Sequence, residues 1–156
     1  MAQRRRVLMV CLGNTCRSPM AEAVFNEKIQ KLGLKDFWEV DSAALKGYHT
    51  GEYPNERTMS TLYSKGITNY SHRSRVIKES DFYEFDWIFG MDEANMKELN
   101  EIRPKDSKTK VELLGQYYPD GISIIRDPYC DVDSTGFEKA FEQCSKSIES
   151  FLKRHI

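Results

Sequence analysis

Cys11 and Arg17 bracket the segment Cys11-Leu-Gly-Asn-Thr-Cys-Arg17-Ser18-Pro19, directly behind the apolar run Val7-Leu-Met-Val10. A Cys followed six positions later by an Arg is weak evidence alone. With 4 Cys and 10 Arg in 156 residues, chance supplies such a pair in roughly one chain in four. The context is more telling. Gly13 and Asn14 are the residue types that most readily accept a positive φ, so the loop can curl its backbone N–H groups inward. A ring of amides from Leu12, Gly13, Asn14, Thr15 and Cys16 at a helix start would hold a phosphate dianion. Arg17 would close the ring with a fork-shaped contact to two phosphate oxygens, which Lys could not reproduce. The same amides, the helix dipole and Arg17 favour a thiolate at Cys11, placed to attack phosphorus. Ser18 can donate to that sulfur, and the Asn14 amide can hold the loop in shape. A buried cysteine beside a solvated arginine is the plainer alternative, and Gly13, Asn14, Ser18 and Pro19 together weigh against it.

Cleavage of a phosphate ester also needs a proton for the leaving oxygen. Asp127, in Ile124-Ile-Arg-Asp-Pro-Tyr129, is the candidate. Asp-Pro by itself is a turn signal, and only the Cys11 loop gives it a chemical role.

These residues need elements to carry them. Val7 to Val10 reads as a buried strand. Ala21, Val24, Phe25, Ile29 and Leu32 follow at helical spacing, and Gly33 ends them. Trp38 to Val40 reads as a second strand, and Pro54 suits the first turn of a helix running to Gly66. Asp86 to Gly90 is a third strand, followed by a helix from Asp92 to Ile102 that stops before Pro104. Val111 to Gly115 is the fourth. Phe137, Ala140, Phe141, Cys144, Ile148, Phe151 and Leu152 form the apolar stripe of a long last helix, which makes Cys144 a core residue. Strands alternating with helices imply an α/β sandwich with a four-stranded parallel sheet, helices on both faces, and one domain over 1–156. Ligands bind at the carboxyl ends of such strands, where the turn after Val10 lies.

Net charge is −1, so no global field draws the chain to nucleic acid or a membrane surface. The four cysteines are too scattered for a disulfide framework, and His49, His72 and His155 stand far from any zinc-ligand spacing. Val7 to Val10 is too short for a signal-peptide core, and Arg4 to Arg6 read as a solvated lead-in to the first strand. No metal or cofactor is expected, and a reducing cytoplasm is the default compartment.

The stretch Val10-Cys-Leu-Gly-Asn-Thr-Cys-Arg-Ser-Pro-Met-Ala-Glu22 closely resembles the phosphate-binding loop of the low-molecular-weight protein tyrosine phosphatases. The resemblance extends to Asp41-Ser-Ala-Ala44, His72, Phe85-Asp-Trp-Ile-Phe-Gly-Met-Asp-Glu93 and Asp127-Pro-Tyr129. It implies a Rossmann-like three-layer fold and hydrolysis of phosphotyrosine and aryl phosphates through a phosphocysteine at Cys11. Asp127 would be the general acid and then the base. It further implies aromatic pocket walls at Tyr48 and Tyr129 and a floor at Leu12. His72 would play a structural part, hydrogen-bonded to Asn14, and Asp92 would act as an N-cap or supporting carboxylate. Cys16 would pair with Cys11 under oxidant. The implied partners are phosphotyrosine proteins or aryl phosphates, for a monomer capable of weak self-association. One departure stands out: Cys130 and Asp131 follow Tyr129 where many members have a second tyrosine and a glycine. Asp131 at the rim would therefore disfavour acidic peptides modestly.

Two rivals remain. An arsenate reductase uses a similar loop but needs further cysteines on a mobile segment, and residues 80–90 hold none. An inactive phosphotyrosine-binding module would not need Cys11, Arg17, Ser18 and Asp127 together.

Overall fold

The computed structural model describes residues 4–156. Four parallel strands, β1 (Arg5–Cys11), β2 (Trp38–Ala44), β3 (Trp87–Gly90) and β4 (Lys110–Leu113), lie in the order β2-β1-β3-β4. The helices α1 (Arg17–Lys31), α2 (Glu56–Ser64), α3 (Asp81–Glu84), α4 (Glu93–Ile102) and α5 (Thr135–His155) cover both faces. Strand β1 explains the layering, since its side chains alternate in direction. Val7, Met9 and Cys11 enter the larger core beneath α1, α2 and α5; Leu8 and Val10 enter the smaller one with Ile88 and Leu99. The chain crosses from β1 to β2 on one side and returns to β3 on the other. The loop after β1 therefore sits at the switch in strand order, where the sheet edge splays into a crevice.

Helix α1 ends in the hydrogen-bond pattern that a glycine permits. Leu34 N donates to Ile29 O (2.8 Å) and Gly33 N to Gln30 O (3.2 Å), with Gly33 at φ 69°. Helix α2 begins two residues later than the position of Pro54 suggests. Asn55 is its N-cap, its side chain accepting from Arg57 N at 2.8 Å, and Pro54 lies outside the first turn. Strand β2 runs past Val40 to Ala44, because the polar Asp41 and Ser42 find partners inside the fold. Strand β4 stops at Leu113, and Leu114–Tyr117 form a 3-10 turn. At Gly115 a Cβ would stand 1.6 Å from Ser123 O, so only glycine lets the returning chain pass. That return, fixed by Ile125 N to Met91 O (3.0 Å), delivers Asp127 to the crevice. No helix among the described residues is long and apolar enough to cross a membrane.

Candidate active site

The loop from Cys11 to Cys16 turns its carbonyls outward, and those of Cys11, Leu12, Gly13, Thr15 and Cys16 find donors. Cys11 O accepts from Leu45 N (3.0 Å), Leu12 O from Lys46 N (2.9 Å) and Thr15 O from Asn55 N (2.8 Å). Gly13 O accepts from Ser74 Oγ (2.9 Å) and Cys16 O from Met20 N (3.2 Å). No backbone carbonyl among the described residues accepts from the N–H of Gly13, Asn14, Thr15 or Cys16. With the carbonyls held outside, these amides are the inner lining of the ring. Of the two residues suited to a positive φ, Asn14 takes it (56°). Gly13 answers a different need: a Cβ there would meet His49 Cδ2 at 3.0 Å.

Asn14 is fully buried and its side-chain amide is fully engaged. Its Nδ2 donates to Ser18 Oγ (2.8 Å) and Ser42 Oγ (3.0 Å). Its Oδ1 meets His72 Nε2 at 2.8 Å and accepts from Arg75 N at 3.2 Å. Behind it, Ser42 and Tyr70 both donate to Glu22 Oε1, at 2.6 and 2.7 Å. Burial pushes the Glu22 carboxyl up to about 7, and burial draws the His72 imidazole below its ordinary value. Glu22, Asp41 and His72 bring three potential metal ligands together. Ser42, Tyr70, Arg75 and Asn14 already bond to them, so the cluster acts as the support of the loop. The sequence carried no sign of Glu22, Ser42, Tyr70 or Arg75 in this part. Polar residues within a strand or on a helix look like solvated positions until the fold buries them.

Cys11 Sγ lies 2.9 Å from Ser18 Oγ. Arg17 is buried, and its Nη1 donates to Asp92 Oδ2 (2.6 Å) and Ile125 O (3.0 Å). Its Nη2 stands 3.8 Å from Asp127 Oδ2, and its Nε–H has no acceptor among the described residues. Burial opposes the Arg17 charge, but Cys11, Asp92 and Asp127 outweigh it and raise its pKa. Asp92 has two tasks: it also caps α4, accepting from Asn95 N at 2.8 Å. Cys16 is buried next to Asp127, and both effects drive its thiol up to about 12.

A cavity of about 170 Å³ opens above Cys11, lined by Leu12, Thr15, Tyr48, His49, Asp127 and Tyr129 among others. Tyr48 and Tyr129 stand at its mouth, 67% and 46% exposed. His49 joins that wall, 5.9 Å from the Tyr129 ring, and was not anticipated from the sequence. A wider hollow of about 740 Å³ lies at the opposite, amino end of the strands around Trp87, and no cysteine lines it. Asp131 is no free rim charge. Arg126 grips both its oxygens (3.0 and 2.6 Å) and lowers its pKa, so the expected repulsion of acidic peptides loses its basis.

An amide ring around a cysteine, closed by a buried arginine at the carboxyl edge of a parallel sheet, defines a phosphate-handling thiol site. The family model described as low molecular weight phosphotyrosine protein phosphatase matches residues 6–155. Low molecular weight phosphotyrosine protein phosphatase 1 of Drosophila melanogaster is 45% identical over 153 residues, 97% of each chain. The crystal structure of Primo-1 superposes with TM-score 0.90 at 46% identity, covering 96% of this chain and 97% of that one. The structure of DARP, a Drosophila arginine phosphatase, also gives 0.90, at 40% identity and 96% coverage of each. The chain belongs to the low molecular weight phosphotyrosine protein phosphatase family.

Proposed function

We propose that this protein hydrolyses phosphotyrosine and aryl phosphate monoesters through a phosphocysteine at Cys11. The observation that carries this reading is the loop's polarity, with every carbonyl from Cys11 to Gly13 and at Thr15 and Cys16 tied outside. The amides of residues 12–16 take the phosphoryl oxygens, and Arg17 offers Nε and Nη2 to two of them. The Cys11 thiolate attacks phosphorus, forming the S–P bond as the P–O bond breaks. Asp127 gives its proton to the leaving phenolate. It then takes a proton from the water that attacks phosphorus, and the S–P bond breaks to return the thiolate and inorganic phosphate. Tyr48 and Tyr129 flank a flat ring, whereas a serine ester is too short to place its phosphate on the ring of amides.

The test is hydrolysis of p-nitrophenyl phosphate. Turnover is expected without added metal, unaffected by EDTA and blocked by vanadate. Cys11→Ser should lose hydrolysis yet keep phosphate binding; substantial residual turnover rejects the nucleophile. Free thiols at Cys11, Cys16, Cys130 and Cys144 suit a reducing compartment.

A second substrate class has an observation of its own. DARP is named an arginine phosphatase, and here Thr15 and Asp127 both line the pocket. Phosphoarginine carries N–H groups beside its P–N bond, and they need acceptors of this kind. Thr15→Val should lower kcat/KM for phosphoarginine about tenfold while leaving phosphotyrosine unchanged. Equal effects on both would remove the hydroxyl from substrate choice.

A further inference from the structure

Arg57 has no carboxylate partner among the described residues, although it is a cation set against the active-site loops. Its guanidinium donates to three backbone carbonyls of the segment behind Asp127. Nη2 reaches Tyr129 O at 2.9 Å, and Nη1 reaches Asp131 O at 2.7 Å and Asp133 O at 3.2 Å. Its Cζ lies over the Phe137 ring, 4.6 Å from the centroid, at the start of α5. Arg57 sits in the first turn of α2, and that turn is itself fastened to the amide ring. Asn55 N donates to Thr15 O at 2.8 Å, and Thr58 Oγ1 donates to Cys16 O at 3.4 Å. A short path thus runs from the nucleophile's loop through the start of α2 to the loop that bears the acid.

We infer that Arg57 is a positioning residue for Asp127: it sets the acid loop at a fixed distance from the Cys11 loop. The inference deepens the proposed phosphatase reading and rests on it. Asp127 needs such support. Its carboxylate is partly exposed, and the polar contacts of that group are the Tyr129 amide (3.1 Å) and the long approach of Arg17 (3.8 Å). The Arg126–Asp131 clasp closes the same loop on itself but does not connect it to the cysteine. Among the described residues, Arg57 alone ties three carbonyls of the loop to α2. A general acid must lie within hydrogen-bond reach of the leaving oxygen, so a small drift of the loop costs rate where protonation matters most.

The experiment compares wild type, Arg57→Met, Asp127→Ala and the double variant on phenyl phosphate and p-nitrophenyl phosphate. Methionine keeps an apolar stem against Phe137 and removes the fork. Loss of Arg57 should lower kcat/KM for phenyl phosphate, whose leaving group needs the proton, by about tenfold. The loss with p-nitrophenyl phosphate should be clearly smaller, and vanadate affinity should stay unchanged. In the Asp127→Ala background the same change should cost almost nothing, because the residue acts through the acid. Arg57→Lys should recover part of the rate, one carbonyl at a time. Equal losses on both esters, a fall in vanadate affinity or full additivity with Asp127→Ala would overturn the assignment. If Arg57→Met does not fold, Arg57→Lys on the two esters decides by the same ratio. A wild-type protein inactive on both esters would sink the phosphatase reading instead, so the two failures are distinct.

Discussion

Ser18 Oγ accepts a hydrogen from Asn14 Nδ2 at 2.8 Å and lies 2.9 Å from Cys11 Sγ. One of its acceptor sites is therefore occupied, and once Cys11 is a thiolate the hydroxyl hydrogen is the donor of that contact. The bond favours a negative sulfur both as nucleophile and as the leaving group when the phosphocysteine is hydrolysed. A hydrogen bond to a charged group contributes about 1.5–3 kcal/mol. Ser18→Ala should accordingly reduce kcat on p-nitrophenyl phosphate roughly ten- to hundredfold with little change in KM. An unchanged kcat would mean that the hydroxyl does not serve the sulfur.

Asp92 combines a cap with a tether, and two substitutions separate them. Asp92→Asn keeps an acceptor for Asn95 N but gives up the charge that holds Arg17 at 2.6 Å. Phosphate affinity should fall several-fold, with stability held within about 1 kcal/mol. Asp92→Ala should show the same loss of affinity and a further loss of about 1 kcal/mol in denaturant unfolding. If only stability moves, Arg17 is positioned by Ile125 O without help from Asp92.

The buried Glu22 carboxyl makes stability depend on pH with a predictable sign. Burial raises it from 4.5 to about 7, so the folded chain holds this proton more tightly than the unfolded one. Its contribution is complete below about 4.5 and is lost as pH rises through 7. The difference, 7 less 4.5, corresponds to roughly 3 kcal/mol. Glu22→Gln keeps an acceptor for Ser42 and Tyr70 without the titration. Its stability relative to wild type should improve by about that amount between pH 4.5 and 7. A constant offset between the two proteins across this window contradicts the account.

Cys16, with its thiol up at about 12, is not itself a ready thiolate, so of the two loop cysteines Cys11 is the one to be oxidised first. Peroxide should convert Cys11 to a sulfenic acid. Cys16 would then displace water to give a disulfide that dithiothreitol reverses. Cys16→Ser should leave turnover measurable but make inactivation by peroxide progressively irreversible. Full recovery of the oxidised variant would show that Cys16 offers no protection.

The frame of the site was open to reading because it rests on local rules. An apolar run, a turn with Gly13 and Asn14, and an arginine at a helix start each leave a mark within a few residues. The long stripe of α5 does the same. What lay hidden depends on distant partners. Arg57 bonds to carbonyls, which have no side-chain signature, and Asp131 pairs with Arg126 only because the acid loop folds back. Ser42 and Glu22 look like surface polar residues until Tyr70 and His72 close over them. Helix α3, four residues long, is shorter than the window in which a helical period can be recognised.

The outward carbonyls of the Cys11 loop carry one last consequence. Their donors come from Leu45, Lys46, Asn55 and Ser74, and Arg17 leans on Ile125, so the oxyanion receptor draws on most of the chain. No fragment ending before Ile125 holds the receptor complete. Phosphate or vanadate should then behave as a ligand of the entire native state, raising the melting temperature with concentration as mass action requires. A partly unfolded molecule, having lost that receptor, would be a poor trap for phosphate and an inert thiol, so activity and foldedness rise and fall together.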